Sequence, residues 1–180
     1  PSVIALIATA IIWRWIYNPN IGFINQFFQL LGIDYSQQWI SDPNVSLYAV
    51  FAAGLWQGIG QPMILFLAGL QAISPDVLEA ATIDGANGIK KFFLITVPLL
   101  KDTFVIVIAT LIVAAMKVYD IIQGLTGGGP NDATQMLATY MYSQVFQYNN
   151  VGYGTAVACI MVILMMIVII PYVSFTAKED

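Results

Sequence analysis

The chain has 180 residues, 59% of them hydrophobic and only 9% charged, with six Lys/Arg against ten Asp/Glu and no histidine. A water-facing surface needs roughly a quarter of its residues charged, so a soluble globule is excluded and lipid is the solvent for much of the chain. A net charge of −4 without a basic cluster excludes nucleic acid as a partner. The missing histidines remove the usual general base and a common metal ligand, and the single Cys159 has no internal disulfide partner.

Crossing about 30 Å of hydrocarbon takes roughly 20 apolar residues. Residues 1–17, PSVIALIATAIIWRWIY, are apolar until Trp13, Trp15 and Tyr17 gather around Arg14, and such an aromatic cluster marks a membrane–water interface. This is the first expected span, cut into at its start. Asp42 and Asp76 are separated by 33 uncharged residues, which hold the second expected span at 45–72. Within it stand Gly54, Trp56, Gln57, Gly58, Gly60, Gln61 and Pro62, with Gln57 and Gln61 four apart on one helix face. Polar residues inside a span are costly and mark a pathway, and amides beside an aromatic plane suit a neutral polyol. Helix packing is the competing reading, through Gly54-x-x-x-Gly58 and bridging glutamines. For the glycines both readings are open, and for Gln57 and Gln61 the pathway reading is preferred.

The stretch 74–102, SPDVLEAATIDGANGIKKFFLITVPLLKD, is too long for a turn and too charged for a span. Ser74-Pro75-Asp76 is a helix start, with a hydroxyl N-cap, proline at the first helical position and an acid in the first turn. The helix is expected to run to Ile83, and Asp84-Gly85 followed by Asn87-Gly88 to turn the chain. A second helical pattern from Ile89 leads toward the membrane, with a kink expected at Pro98.

The third expected span, 103–125, contains Lys117 and Asp120 at i, i+3, in its outer half. They read as a mutual ion pair with Lys117 snorkelling outward, or as an ion-coupling site. The loop 126–150 opens on TGGGPNDAT, a helix stop and turn. The fourth expected span is 152–175, inside 45 uncharged residues between Asp132 and Lys178. Lys90, Lys91 and Lys101 occupy 74–102 and Lys178 the tail, while 18–44 and 126–150 hold no Lys or Arg. The positive-inside rule places 74–102 and the C-terminus in the cytoplasm. The expected fold class is all-α: one polytopic transmembrane domain over 1–180, with four spans and a cytoplasmic loop.

At that loop the sequence resembles the membrane-spanning permease subunits of binding-protein-dependent ABC importers. Their signature is Glu-Ala-Ala, three residues, Gly, nine residues, then Ile-x-Leu-Pro. Here it stands as Glu79-Ala80-Ala81, Gly85 and Ile95-Thr96-Val97-Pro98, with Val97 the one departure. Asp84-Gly85-Ala86, Trp13–Asn25, Trp56-Gln57-Gly58, Thr126–Pro130 and Gly152–Ala156 are similar to the carbohydrate-importer branch.

The resemblance implies a mechanical role and the C-terminal part of a six-span permease. It implies that Glu79, Ala80, Ala81, Asp84, Gly85, Ile95 and Pro98 couple to a cytoplasmic ATPase subunit, Glu79 by a charge-assisted bond to a basic residue. It also implies that Trp56, Gln57, Gly58 and Gln61 border a path for a carbohydrate. The further partners it implies are a second permease subunit, identical or homologous, an extracytoplasmic solute-binding protein and membrane lipid, with no cofactor, metal or catalytic residue. The chain has no Gly-x-x-x-x-Gly-Lys-Ser/Thr phosphate loop, so ATP hydrolysis falls to another polypeptide. The alternatives are an ion-coupled carrier or channel using Lys117 and Asp120, and a membrane-embedded enzyme, for which no catalytic cluster is present.

Overall fold

The computed structural model describes residues 1–176, with side chains to Ser174. Lys178, assigned above to a cytoplasmic tail, lies outside the described residues. Among the described residues every regular element is helical. In chain order these are α1 (Leu6–Ile16), α2 (Phe23–Leu30), α3 (Ser46–Gly58), α4 (Gly60–Ala72), α5 (Pro75–Ile83) and α6 (Gly88–Lys91). A π-helical turn (Phe92–Thr96), α7 (Val97–Leu99), α8 (Lys101–Met116), α9 (Asp120–Leu125), α10 (Leu137–Tyr142), a second π-helical turn (Ser143–Gln147) and α11 (Val151–Thr176) follow.

Among the described residues two helical stretches are long and apolar enough to cross a membrane, Ser46–Gln71, which takes in α3 and α4 in succession, and Val151–Ser174. The pair Gly88–Leu99 and Lys101–Met116 makes a third only if both arms of a 66° bend count as one span. α1 has 11 residues, about 16 Å at the helical rise, half the hydrocarbon thickness. It is shorter than the sequence suggests because Ala5 is extended, at φ −58° and ψ 138°. The expected helix 103–125 is also broken: α8 ends at Met116, Tyr119 is non-helical at φ −138° and ψ −60°, and α9 restarts at Asp120. The break turns Ile121, Ile122 and Leu125 into a core, while the Tyr119 ring lies 4.9 Å from that of Tyr142.

One compact unit comprises Pro1–Ile59 and Ala114–Met166. Its core joins α1, α3 and α9 through Ala10, Tyr17, Ala49, Val50, Ala53, Ile121, Ile122 and Leu125, flanked by Trp13 and Trp39. Small residues let α1 and α9 approach closely: a Cβ on Gly124 would collide with Cβ of Ala10. The buried Tyr17 hydroxyl donates to the Ala49 carbonyl at 2.9 Å. A smaller cluster of Ala138, Val157 and Met161 packs α10 against α11.

In this unit the loop after α1 is tied around Asn25, which is 1% exposed. Its Nδ2 donates to the carbonyls of Pro19 (3.1 Å) and Gln37 (3.0 Å), and its Oδ1 accepts from Trp39 Nε1 (2.8 Å) and the Gln37 amide (3.4 Å). Asp42 closes the same loop, accepting from the Asn44 amide at 2.9 Å and Gln37 Nε2 at 2.8 Å. Those bonds, the Asn44 backbone first, hold its carboxyl below the usual carboxylate range.

The other unit comprises Gly60–Val113 and the chain from Ile167 onward. Here Gly69 meets Leu100 and Thr103 so closely that a Cβ would overlap both side chains. The Phe66 and Phe104 rings meet edge to face at 4.7 Å, and the Tyr172 hydroxyl donates to the Val105 carbonyl at 3.3 Å.

Candidate functional site: an exposed helix with a fixed end

α5 forms for local reasons. The Ser74 hydroxyl accepts from the Asp76 amide at 3.3 Å, and Pro75, whose missing N–H costs nothing in the first turn, begins the helix. At the other end the Ala86 amide bonds the Ala81 carbonyl (3.0 Å) and the Gly85 amide the Thr82 carbonyl (3.1 Å). This is a Schellman closure. It puts Gly85 at φ +82°, the left-handed region that glycine enters without penalty. Asn87 then caps α6, its Oδ1 accepting from the Lys90 amide at 2.9 Å.

Of the residues singled out on α5, Glu79 and Ala80 are exposed and Ala81 is buried. Asp84 is the exposed C-cap, and Ile83 is 87% exposed. Glu79 has no salt-bridge partner among the described residues. Ile95 lies in the first π-helical turn and Pro98 in α7, beyond the chain reversal. A bond that the sequence reading missed links the two arms: Lys91 Nζ donates to Thr82 Oγ1 at 2.6 Å. Only a Thr and a Lys nine apart across a turn could have signalled it.

The kink also differs from expectation. Proline lacks the N–H that would bond residue i−4, and the chain absorbs this by widening into the π turn, in which the Val97 amide reaches the Phe92 carbonyl and the Thr96 hydroxyl the Lys91 carbonyl at 3.4 Å. The 66° bend falls two residues after Pro98, at Leu100, whose φ −88° and ψ 9° leave the helix.

The second set of residues does not act as one cluster. Trp56 presents its ring edge-on to Trp13 at 5.9 Å, and Gln57 Nε2 donates to the Ile4 carbonyl at 3.4 Å. Both contacts lie within the first unit and fit the packing reading. Gly58 ends α3; it receives no helical bond from Pro62, which has no N–H. Gln61, in the second unit, is exposed and has no hydrogen-bond partner among the described residues. Lys117 and Asp120 are exposed on either side of the break between α8 and α9 and form no salt bridge among the described residues, so the expected ion pair is absent from this structure.

Residues 1–177 match the family described as Binding-protein-dependent transport system inner membrane component. The chain belongs to that family. A Pyrococcus horikoshii protein described as a probable ABC transporter permease is 35% identical over 100% of this inner membrane component and 62% of its own length. The xylose/arabinose import permease protein of Haloferax volcanii is 34% identical over 99% of this chain and 56% of its own. Among solved structures, a bacterial ABC transporter involved in the import of alginate superposes with a TM-score of 0.90 at 19% identity, covering 99% of this chain and 62% of that one. That likeness concerns the fold. The inner membrane component described here spans about 62% of the length of the first of these relatives.

Proposed function

We propose that the chain forms part of the permease subunit of an ATP-driven importer for a sugar or related polyol. In this reading 74–102 lies in the cytoplasm and docks a separate ATPase subunit, a second permease subunit completes the path, and an extracytoplasmic solute-binding protein delivers the cargo. The C-terminus is cytoplasmic and the chain sits in a bacterial-type cell inner membrane, with four spans in a single permease domain. The observation that supports the reading is the placement of the signature: Glu79 and Ala80 sit exposed on a short helix, and exposed Gly85 follows it in the Schellman closure that fixes its end. Such a knob transmits a push from a bound subunit without yielding. The sugar class rests on relatives whose names specify xylose/arabinose and trehalose/maltose transport; the binding-protein partner draws support from a structural neighbour solved with its periplasmic protein.

The test is accumulation of labelled oligosaccharide by sealed vesicles carrying the complete system. Uptake is expected to require ATP on the cytoplasmic side together with the ATPase and the solute-binding protein, and to survive collapse of the proton and sodium gradients. Uptake that persists without ATP and vanishes with the gradients would instead favour a secondary carrier.

Gln61 is expected to border the path, because its exposed amide bridges nothing among the described residues. Gln61→Leu should raise the sugar concentration for half-maximal uptake about tenfold, the cost of one lost hydrogen bond, without altering ATPase attachment. Unchanged kinetics across several oligosaccharides would assign Gln61 to helix packing.

A further inference from the structure

α2 is amphipathic in the unusual sense that its apolar stripe faces away from its own unit. The inward side is held by Asn25, 1% exposed and bonded to Pro19, Gln37 and Trp39. The outward side carries Phe23 (62% exposed), Phe27 (49%) and Leu30 (85%) at i, i+4 and i+7, with Leu31 (59%) just beyond. The Phe23 and Phe27 rings stack at 6.1 Å. This stripe is held rigidly against the end of α1: Asn18 Oδ1 caps the amides of Asn20 and Ile21 at 2.9 and 3.1 Å, and a Cβ on Gly22 would collide with the carbonyls of Ile16 and Asn18.

We propose that α2 is an interfacial foot, seated on the extracytoplasmic leaflet with Phe23, Phe27 and Leu30 inserted among the lipid chains. Three observations choose lipid over protein as the occupant. Ile11 and Trp15 of the preceding α1 are likewise exposed and apolar, and Trp15 belongs to the aromatic cluster of the kind that marks a membrane–water interface. No charge occurs from Trp15 through Ile33, so nothing in the stretch resists the headgroup–acyl boundary. Three side chains offer roughly 300–600 Å² of surface, short of the about 800 Å² per partner of a stable protein interface, yet sufficient for a helix that sinks about 5–10 Å into a leaflet. Gln26 and Gln29 flank the stripe toward water. The foot fixes the depth of the loop that Asn25 and Asp42 tie together.

The experiment places single cysteines by Phe27→Cys, Leu30→Cys and Gln29→Cys in a Cys159→Ala background of the full-length protein, each labelled with a fluorophore in vesicles. Nitroxide borne high on the acyl chain is expected to quench the probes at 27 and 30 at least threefold more than that at 29, and aqueous iodide to show the reverse order. Equal iodide quenching at all three positions would place the stripe in water, and protection from both quenchers would place it under protein; either result overturns the proposal. A parallel measurement needs no substitution in the stripe. Phospholipid carrying a photoactivatable diazirine near the headgroup, illuminated with the unaltered protein, should leave adducts on residues 23–31 and not on 37–44. Adducts absent from 23–31 would likewise overturn it.

Discussion

Gly85→Val is expected to lower sugar uptake more than tenfold while the protein remains in the membrane at normal abundance. The obstacle is conformational and not steric. Nothing lies within 4 Å of a Cβ built on Gly85, but its φ of +82° belongs to the left-handed region, which costs a non-glycine residue about 1–2 kcal/mol and a β-branched one more. Valine would leave that region and undo the bonds from Ala86 to Ala81 and from Gly85 to Thr82, so the end of α5 would fray and the knob would yield under load. Asparagine tolerates positive φ, so Gly85→Asn should keep most uptake. Measuring uptake beside ATPase co-purification separates the cases: two normal values for Gly85→Val would remove the loop from the coupling mechanism, and equal losses for valine and asparagine would show that the missing side chain matters rather than the backbone.

The second large effect is expected at Asn25. Asn25→Ala deletes four hydrogen bonds at a site 1% exposed, leaving the carbonyls of Pro19 and Gln37, the Gln37 amide and the Trp39 indole N–H without their partner. Orphaned buried groups cost roughly 1–3 kcal/mol each, less where water enters, so a net loss of about 3 kcal/mol is expected. The melting temperature in detergent should fall by several degrees, and protease should cut between Leu31 and Asn44 many times faster. Asn25→Asp is the informative companion, because it keeps the acceptor for Trp39 but turns a carboxylate toward the carbonyls of Pro19 and Gln37. A melting temperature for Asn25→Ala within a degree of the parent would mean that water replaces the hub at no cost.

What could be read from the sequence was local chemistry. Ser74, Pro75 and Gly85 announce the start and end of α5 because a cap, a first-turn proline and a left-handed glycine act within a few residues of themselves. The charge-free stretch after Asp42 likewise gave Ser46–Gln71 almost to the residue. The break at Lys117–Tyr119 was not legible, since it depends on α9 folding back onto α1, more than a hundred residues away, through the Gly124–Ala10 approach. Pro98 announced a kink but not its place, because the π turn absorbs the missing N–H and defers the bend to Leu100. Asn25 looked like one letter of a resembling block; only the fold brings Gln37 and Trp39 to it. Gln57 and Gln61, a natural pair by spacing, part company because one finds a carbonyl and the other does not.

The π turn at Phe92–Thr96 gives the spacing within this chain a geometric meaning. A π turn holds one residue more than the α-helix that it interrupts, and each residue of an α-helix advances about 100° around the axis. The extra residue therefore works as an angular shim between the arm that carries Glu79 and the helix that begins at Lys101. Removing it would shorten the count from Gly85 to Pro98 by one and rotate the exposed knob by more than a quarter turn about the axis of the helix beyond. The count of residues from Gly85 to Pro98 thus encodes a direction, which no list of the residues themselves would reveal.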